Sequence, residues 1–241
     1  MPKIVRFHEV GGPEVLRIEE EAPKHAGKGE VRLKVQAVGL NRAESMFIRG
    51  QYLEPPNFPA GVGYEAAGVV EAVGPDVDKS WVGKRVAIVP SFSMNDYTML
   101  GEEVIAPAAA LGEYPANLSP MEGAAVWMQY LTAYGALIAI AHLTKGDFVV
   151  IPAASSSVGI AAIDIAKVEG AISIATTRKS NKKAELLSAG ARRCNRNRGR
   201  RHRDACKGDH WRQGCACDLR SGRRAISRRA SRGCRNRRNC L

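Results

Sequence analysis

The stretch FVVIPAASSSVGIAAIDIAKVEGAISIATTRKSNKK, residues 148–183, decides the fold. FVVIP (148–152) is a short apolar run, too brief for a helix and rich in β-branched residues, and reads as a buried strand. AASSSVG (153–159) is a turn of small residues. IAAIDIAKVEG (160–170) has helical spacing and stops at Gly170. AISIATT (171–177) is a second strand, and NKKAELLSAG (181–190) a second helix that stops at Gly190. Strand and helix alternate, which predicts a parallel sheet with crossover helices. The turn between the first strand and its helix can bind a diphosphate, because helix N-terminal N–H groups point at the ligand and small side chains admit it closely. In the frame of the dinucleotide fingerprint G-x-G-x-x-G, the turn reads Ala154, Ser155, Ser156, Ser157, Val158, Gly159, so only the third glycine is kept. An ordinary small-residue turn gives the same string. The end of the next strand adds weight. A residue about 20 positions beyond the loop reads the ribose, and an acid there favours NAD. The chain instead has Thr177, Arg178, Lys179, Lys182 and Lys183, where a basic cluster would neutralise the 2′-phosphate of NADP. NADP is therefore expected over NAD.

Upstream the pattern differs. Short β-type runs, VRLKVQAV (31–38), AAGVVEAV (66–73) and KRVAIV (84–89), are separated by Gly11-Gly12-Pro13, Pro55-Pro56 and Gly74-Pro75-Asp76. In the first run Val31, Leu33, Val35 and Ala37 share one face. Ser119-Pro120-Met121-Glu122 is a helix start, with serine at the cap, proline at the first turn and glutamate at the third position. The Ala-rich stretch from there to His142 is expected to be a buried helical segment. The predicted organisation is a β-rich domain over 1–118, a partial parallel α/β domain over 119–191, and a basic tail over 192–241.

The tail is set apart by charge. The whole chain carries +12, but residues 1–191 hold 18 Lys and Arg against 21 Asp and Glu, and residues 192–241 hold 18 against 3. All six cysteines, Cys194, Cys206, Cys215, Cys217, Cys234 and Cys240, lie in the tail as well. The body thus has no thiolate for a disulfide or a metal. MPKIVRFHEV lacks the apolar core of a signal peptide, and no apolar run is expected to approach the ~20 residues of a membrane span. The expectation is a cytoplasmic protein with no membrane partner.

At the level of motifs the chain resembles the medium-chain dehydrogenase/reductase superfamily, and within it the zinc-independent quinone oxidoreductase branch. The residues carrying this resemblance are AVGLNRAESMFIRGQY (37–52), GVGYEAAGVVEAVGPDV (61–77), VGKRVAIV (82–89), WMQYLTAYGAL (127–137) and IPAASSSVGIAAIDIAK (151–167). It covers about 1–191. The resemblance implies a GroES-like catalytic domain followed by a truncated Rossmann domain. It implies an enzyme that transfers hydride from NADPH to a small-molecule quinone or α,β-unsaturated carbonyl, and that in its intact form is a homodimer. In zinc-using relatives the position of Asn41 is a cysteine and that of Tyr64 a histidine; neither Asn nor Tyr is a usual zinc ligand, so no zinc is expected. By the same resemblance Asn41 lines the nicotinamide pocket, Tyr52 hydrogen-bonds a carbonyl oxygen of the acceptor, and Thr132 lies near the nicotinamide.

Four readings of the tail compete. Arginine runs can bind nucleic acid. Cys215 and Cys217 with His202 and His210 could hold zinc, at no standard spacing. A polar extension can be disordered. A displaced reading frame is the fourth and is favoured over nucleic-acid binding. Permitted codons for residues 201–224, read one base later, give DIVTRVKEITGGKGARVIFDPVGG, an amphipathic helix, a glycine turn and a strand. A folded but non-catalytic module of the same architecture is the remaining alternative. On the frame reading, the half-sheet lacks its later strands, and activity is expected to be impaired.

Overall fold

The computed structural model describes residues 1–196 together with 217–218. In chain order the elements are β1 (Lys3–Phe7), β2 (Arg17–Glu20), β3 (Glu30–Gly39), α1 (Arg42–Ile48), β4 (Ala60–Gly61), β5 (Glu65–Val73), β6 (Arg85–Ile88), β7 (Glu103–Pro107), β8 (Leu111–Gly112), α2 (Pro120–Gly123) and α3 (Trp127–Tyr134). There follow a π-helical stretch (Gly135–Ile140), β9 (Phe148–Ile151), α4 (Ser157–Val168), β10 (Ile172–Thr177), α5 (Lys183–Ser188), β11 (Arg193–Arg196) and β12 (Cys217–Asp218). The chain divides into two compact units, Met1–Met128 and Gln129–Leu241.

The first unit is built on an antiparallel sheet in the order β7-β3-β5-β6-β8, with a smaller sheet β2-β1-β4. The alternation read in VRLKVQAV holds from Val31 to Val35 and is corrected at Ala37, which leaves that face: Val31 and Leu33 are fully buried, while Lys34 is exposed. Register shifts between Arg32 and Leu33 and between Val35 and Ala37 bend β3. After the second bend Val38 packs with Val35 on the main core, and Ala37 turns to a small cluster with Ala67, Ala87 and Ala124. A separate aromatic core gathers Phe7, Phe47, Val62, Tyr64 and Met94. Ring edges meet ring faces there, with Phe7 5.8 Å from Phe47.

The helix start at Ser119 forms as read. The Ser119 hydroxyl accepts from the Glu122 N–H at 3.3 Å, and Glu122 Oε2 accepts from the Ser119 N–H at 2.8 Å. The stretch beyond it corrects two expectations. It is helical, but only Gly123, Ala124, Ala133 and Leu137 are buried, whereas Met121, Leu131, Tyr134 and Ile140 are exposed. A helix that is apolar on every side buries one face, and among the described residues the other face is uncovered. The 21 residues Pro120–Ile140 also make a helical run of mean hydropathy 1.3, long and apolar enough to cross a membrane by length and composition.

The second unit holds the parallel sheet, in the order β11-β10-β9-β12. Every residue of β9 is buried, as the unbroken apolar run requires, and α4 packs Ala161, Ala162, Ile163 and Ala166 into the same core. The expectation of two strands, with the fold ending at residue 191, is corrected here. β11 pairs in parallel with β10 from Ile174 opposite Arg193 to Thr177 opposite Arg196, and β12 pairs with β9. Cys194 is buried in the core, and that burial raises its thiol pKa. Ladder hydrogen bonds come from the backbone, so a chain delivered beside β10 by the α5 crossover extends the sheet whatever its charge.

Candidate functional site: a phosphate-type turn and a buried carboxylate network

In the second unit the turn after β9 is drawn back against β10. Ala154 N–H donates to the Thr176 carbonyl at 3.1 Å, and Ala154 is fully buried. Ser156 caps α4, its hydroxyl accepting from the Gly159 N–H at 3.1 Å. Ser157 and Val158 make the first turn of the helix. Gly159 explains why this position of the fingerprint is retained. A Cβ there would lie 2.5 Å from the Ala154 carbonyl oxygen, inside backbone that has no room to move. The small side chains of the turn therefore bring the α4 N-terminus and the strand end together, the cradle a diphosphate requires.

The basic segment lies at the same end of the sheet. Thr177 closes β10 with a buried side chain, and its hydroxyl accepts from the Lys179 N–H at 3.3 Å, shaping the chain as it leaves the strand. Arg178 and Lys183 are exposed. Lys182 Nζ reaches back to Ser155 Oγ at 3.3 Å, which joins the basic segment to the turn. Thr132 occupies an exposed position on α3, one residue before buried Ala133. On the same helix, Tyr130 donates to Asp164 Oδ2 at 2.7 Å, and this hydrogen bond, with burial, pushes its phenol up to about 12.

In the first unit Asn41 is the N-cap of α1. Its backbone N–H donates to Glu44 Oε2 at 2.5 Å, and its side-chain Nδ2 donates to Glu65 Oε1 at 3.0 Å. Glu44 Oε1 in turn accepts from the Tyr64 N–H at 3.2 Å, and Glu65 Oε2 from the Met128 N–H at 3.0 Å. Both carboxyls are buried, and burial raises both above the ordinary glutamate value. Tyr52 reaches this group through Tyr64, ring to ring at 6.1 Å and 62°. Burial first, then the adjacent Tyr52 hydroxyl, raises the Tyr64 phenol pKa. The structure thus links Asn41, Glu44, Tyr64 and Tyr52 in sequence. It likewise links Ser155, Ser156, Gly159 and Lys182 within the other unit. Glu44 and Glu65 are absent from the residues singled out by sequence. The signals for them were the i, i+3 spacing of Asn41 and Glu44 at a helix start, and a carboxylate inside the apolar run that opens β5. Among the described residues no group of three His, Cys, Asp or Glu side chains converges as a metal site would need. The suggested ligands His202 and His210 lie outside the described residues.

A family model for the alcohol dehydrogenase GroES-like domain matches residues 27–153. Quinone oxidoreductase 1 of Escherichia coli is 34 % identical over 187 residues, covering 78 % of this chain and 56 % of that protein. The quinone oxidoreductase of Pseudomonas aeruginosa is 35 % identical over 188 residues, 77 % of this chain and 55 % of its own length. Among solved structures, E. coli quinone oxidoreductase complexed with NADPH matches with a TM-score of 0.78 at 29 % identity, over 89 % of this chain and 64 % of that one. The quinone oxidoreductase of Coxiella burnetii matches with 0.76 at 27 %, over 85 % and 65 %. The chain spans a little over half the length of the curated relatives it matches.

Proposed function

The chain belongs to the alcohol dehydrogenase GroES-like family, in the quinone-oxidoreductase-like branch of the medium-chain dehydrogenases/reductases, and from that premise we propose that it is an NADPH-dependent quinone or enone reductase. The observation that carries the cofactor reading is the turn itself. Gly159 lets the α4 N-terminus close on the Ala154 carbonyl where a Cβ would clash, and Lys182 reaches Ser155 of the same turn. The named complex of the E. coli relative with NADPH supports it.

When bound, NADPH supplies the hydride. The α4 N-terminus and the turn Ala154–Gly159 hold the diphosphate. Arg178, Lys182 and Lys183, with Thr177 shaping the strand end, hold the 2′-phosphate. By the family resemblance, Asn41 would serve the nicotinamide. Tyr52 would donate a hydrogen bond to the acceptor carbonyl oxygen and stabilise negative charge there. Asn41 and Tyr64 are engaged with Glu65 and in the aromatic stack, and the reading uses no zinc. The tail after residue 191 is read as a displaced frame. A single-base insertion or deletion in the coding DNA near codon 190, restoring a family-like frame, is the expected finding. An uninterrupted frame in independent DNA would revive the nucleic-acid reading.

Titration of the purified chain with NADPH and NADH, followed by nicotinamide fluorescence, tests the function. NADPH is expected to bind at least tenfold more tightly. Lys182→Ala removes most of that preference, because one partly exposed charge pair at about 4 Å is worth on the order of 1–4 kcal/mol. Equal affinity for both cofactors, or no binding, overturns the reading.

A further inference from the structure

We propose that Glu65 is a positioning residue for Asn41: it holds the carboxamide with its nitrogen inward, so that Asn41 offers a ligand its oxygen and recognises a hydrogen-bond donor. The proposal deepens the function above and rests on it, the donor being the carboxamide N–H of the nicotinamide.

Three observations fix the orientation. Asn41 Nδ2 faces Glu65 Oε1 at 3.0 Å and the Gly39 carbonyl at 3.4 Å. A carboxylate and a carbonyl can only accept, so turning the amide over would set oxygen against oxygen on both sides. The carboxylate cannot swing away, because Glu65 is 2 % exposed and its other oxygen accepts from the Met128 N–H at 3.0 Å. Gly39 makes the close approach possible. A Cβ on it would stand 2.5 Å from Glu65 Oε1 and 2.3 Å from the Ala124 carbonyl oxygen. The chain thus keeps a bare backbone at the one place where a side chain would push Glu65 off Asn41. Nδ2 has two hydrogens, and both have acceptors inside the protein. The Asn41 side chain also faces the Glu44 N–H at the helix start, in a capping-box arrangement that closes no cap hydrogen bond. The amide oxygen, on a half-exposed residue, is what remains for a ligand. A donor is taken there, and a carbonyl in the same place is repelled.

The test compares two oxidised cofactors on the purified chain by isothermal titration: NADP and its 3-acetylpyridine analogue, in which a methyl ketone replaces the carboxamide and no N–H remains. The intact protein is expected to bind NADP about fivefold to tenfold more tightly, the worth of one hydrogen bond. In Glu65→Gln the Met128 N–H claims the new side chain's oxygen, its NH2 faces Asn41, and the Asn41 amide turns its nitrogen outward. The ratio of affinities then falls to within about twofold of one, while NADP itself still binds. If Glu65→Gln does not fold by circular dichroism, the side-chain NH2 resonances of Asn41, assigned by their loss in Asn41→Ala, carry the same test. Both protons exchange slowly in the intact protein if Glu65 and Gly39 hold them, and rapid exchange overturns the proposal. Binding of NADP with no preference over the analogue, or an undiminished preference in Glu65→Gln, overturns the proposal and leaves the cofactor reading standing. Failure to bind NADP at all overturns both.

Discussion

Two helical glycines of the second unit make opposite predictions when each is changed to alanine. Alanine is intrinsically better than glycine in a helix by about 1 kcal/mol, because the unfolded glycine has more freedom to lose. At Gly135 the added Cβ meets nothing within 4 Å, so Gly135→Ala should keep most of that gain. At Gly159 the same Cβ would stand 2.5 Å from the Ala154 oxygen and 2.7 Å from its carbon. These are backbone atoms of a fully buried residue, tied to β10 through the Thr176 carbonyl, and they cannot swing aside. Overpacking of this kind costs about 1–3 kcal/mol, and the rigid neighbour puts it near the upper end. Less the helix gain, Gly159→Ala should destabilise by about 2 kcal/mol. With a urea dependence of about 2 kcal/mol/M, that lowers the midpoint by about 1 M, while Gly135→Ala raises it by a few tenths. The helical signal at 222 nm is the appropriate probe, since α3, the π-helical stretch, α4 and α5 report mainly on this unit. The displaced Ala154 carbonyl also widens the turn, so NADPH affinity should fall about tenfold in Gly159→Ala and not in Gly135→Ala. A Gly159→Ala protein as stable as the parent, or two variants shifted alike, would refute the reasoning.

Three further outcomes are expected. Glu44 and Glu65 are raised above their ordinary 4.5 by burial, so the native state holds more protons than the unfolded chain between the raised values and 4.5. Stability of the first unit should therefore rise as the pH falls across that window, and the rise should shrink in Glu65→Gln. At lower pH the trend reverses, because Glu14, Asp78 and Glu122, held low chiefly by backbone hydrogen bonds, lose their contribution as they protonate; urea midpoints at stepped pH measure both limbs. Tyr130→Phe removes the hydrogen bond to Asp164 and should cost about 1.5 kcal/mol in the same urea assay, more than a neutral pair would because the acceptor is charged. Ser156→Ala removes the cap of α4 and should cost about 1 kcal/mol, with a matching loss of NADPH affinity in the fluorescence titration.

The elements were legible where one residue period spoke for itself. The alternation from Val31 to Val35, the apolar run at 148–151 and the box from Ser119 to Glu122 each carry their cause in a few adjacent residues. What escaped depends on residues distant in the chain. Glu44 and Glu65 read as unremarkable acids until the fold brings Asn41 and the N–H groups of Tyr64 and Met128 to them. The face of the helical run bearing Leu131, Tyr134 and Ile140 was read as buried from its composition alone. Apolar composition states a demand for a partner surface and says nothing about whether one is supplied.

The strand at Arg193–Arg196 shows the same division from the other side. Charge and cysteine content change abruptly at residue 192, yet the sheet continues for another strand. Pairing with β10 uses N–H and C=O groups that every residue but proline owns, and β10 would otherwise leave a row of them open. Side chains then decide what the strand is worth. Cys194 is small enough and apolar enough to enter the core beside Leu186 and Ala191, which lets a strand with arginine at both ends contribute burial. The change in composition and the boundary of the sheet therefore lie at different residues. On this argument Cys194→Arg, which keeps every backbone bond and removes a buried side chain, should release the strand, and amide hydrogen exchange at 193–196 should rise toward that of free chain. Unchanged protection in that variant would mean that the backbone ladder alone holds the strand to β10.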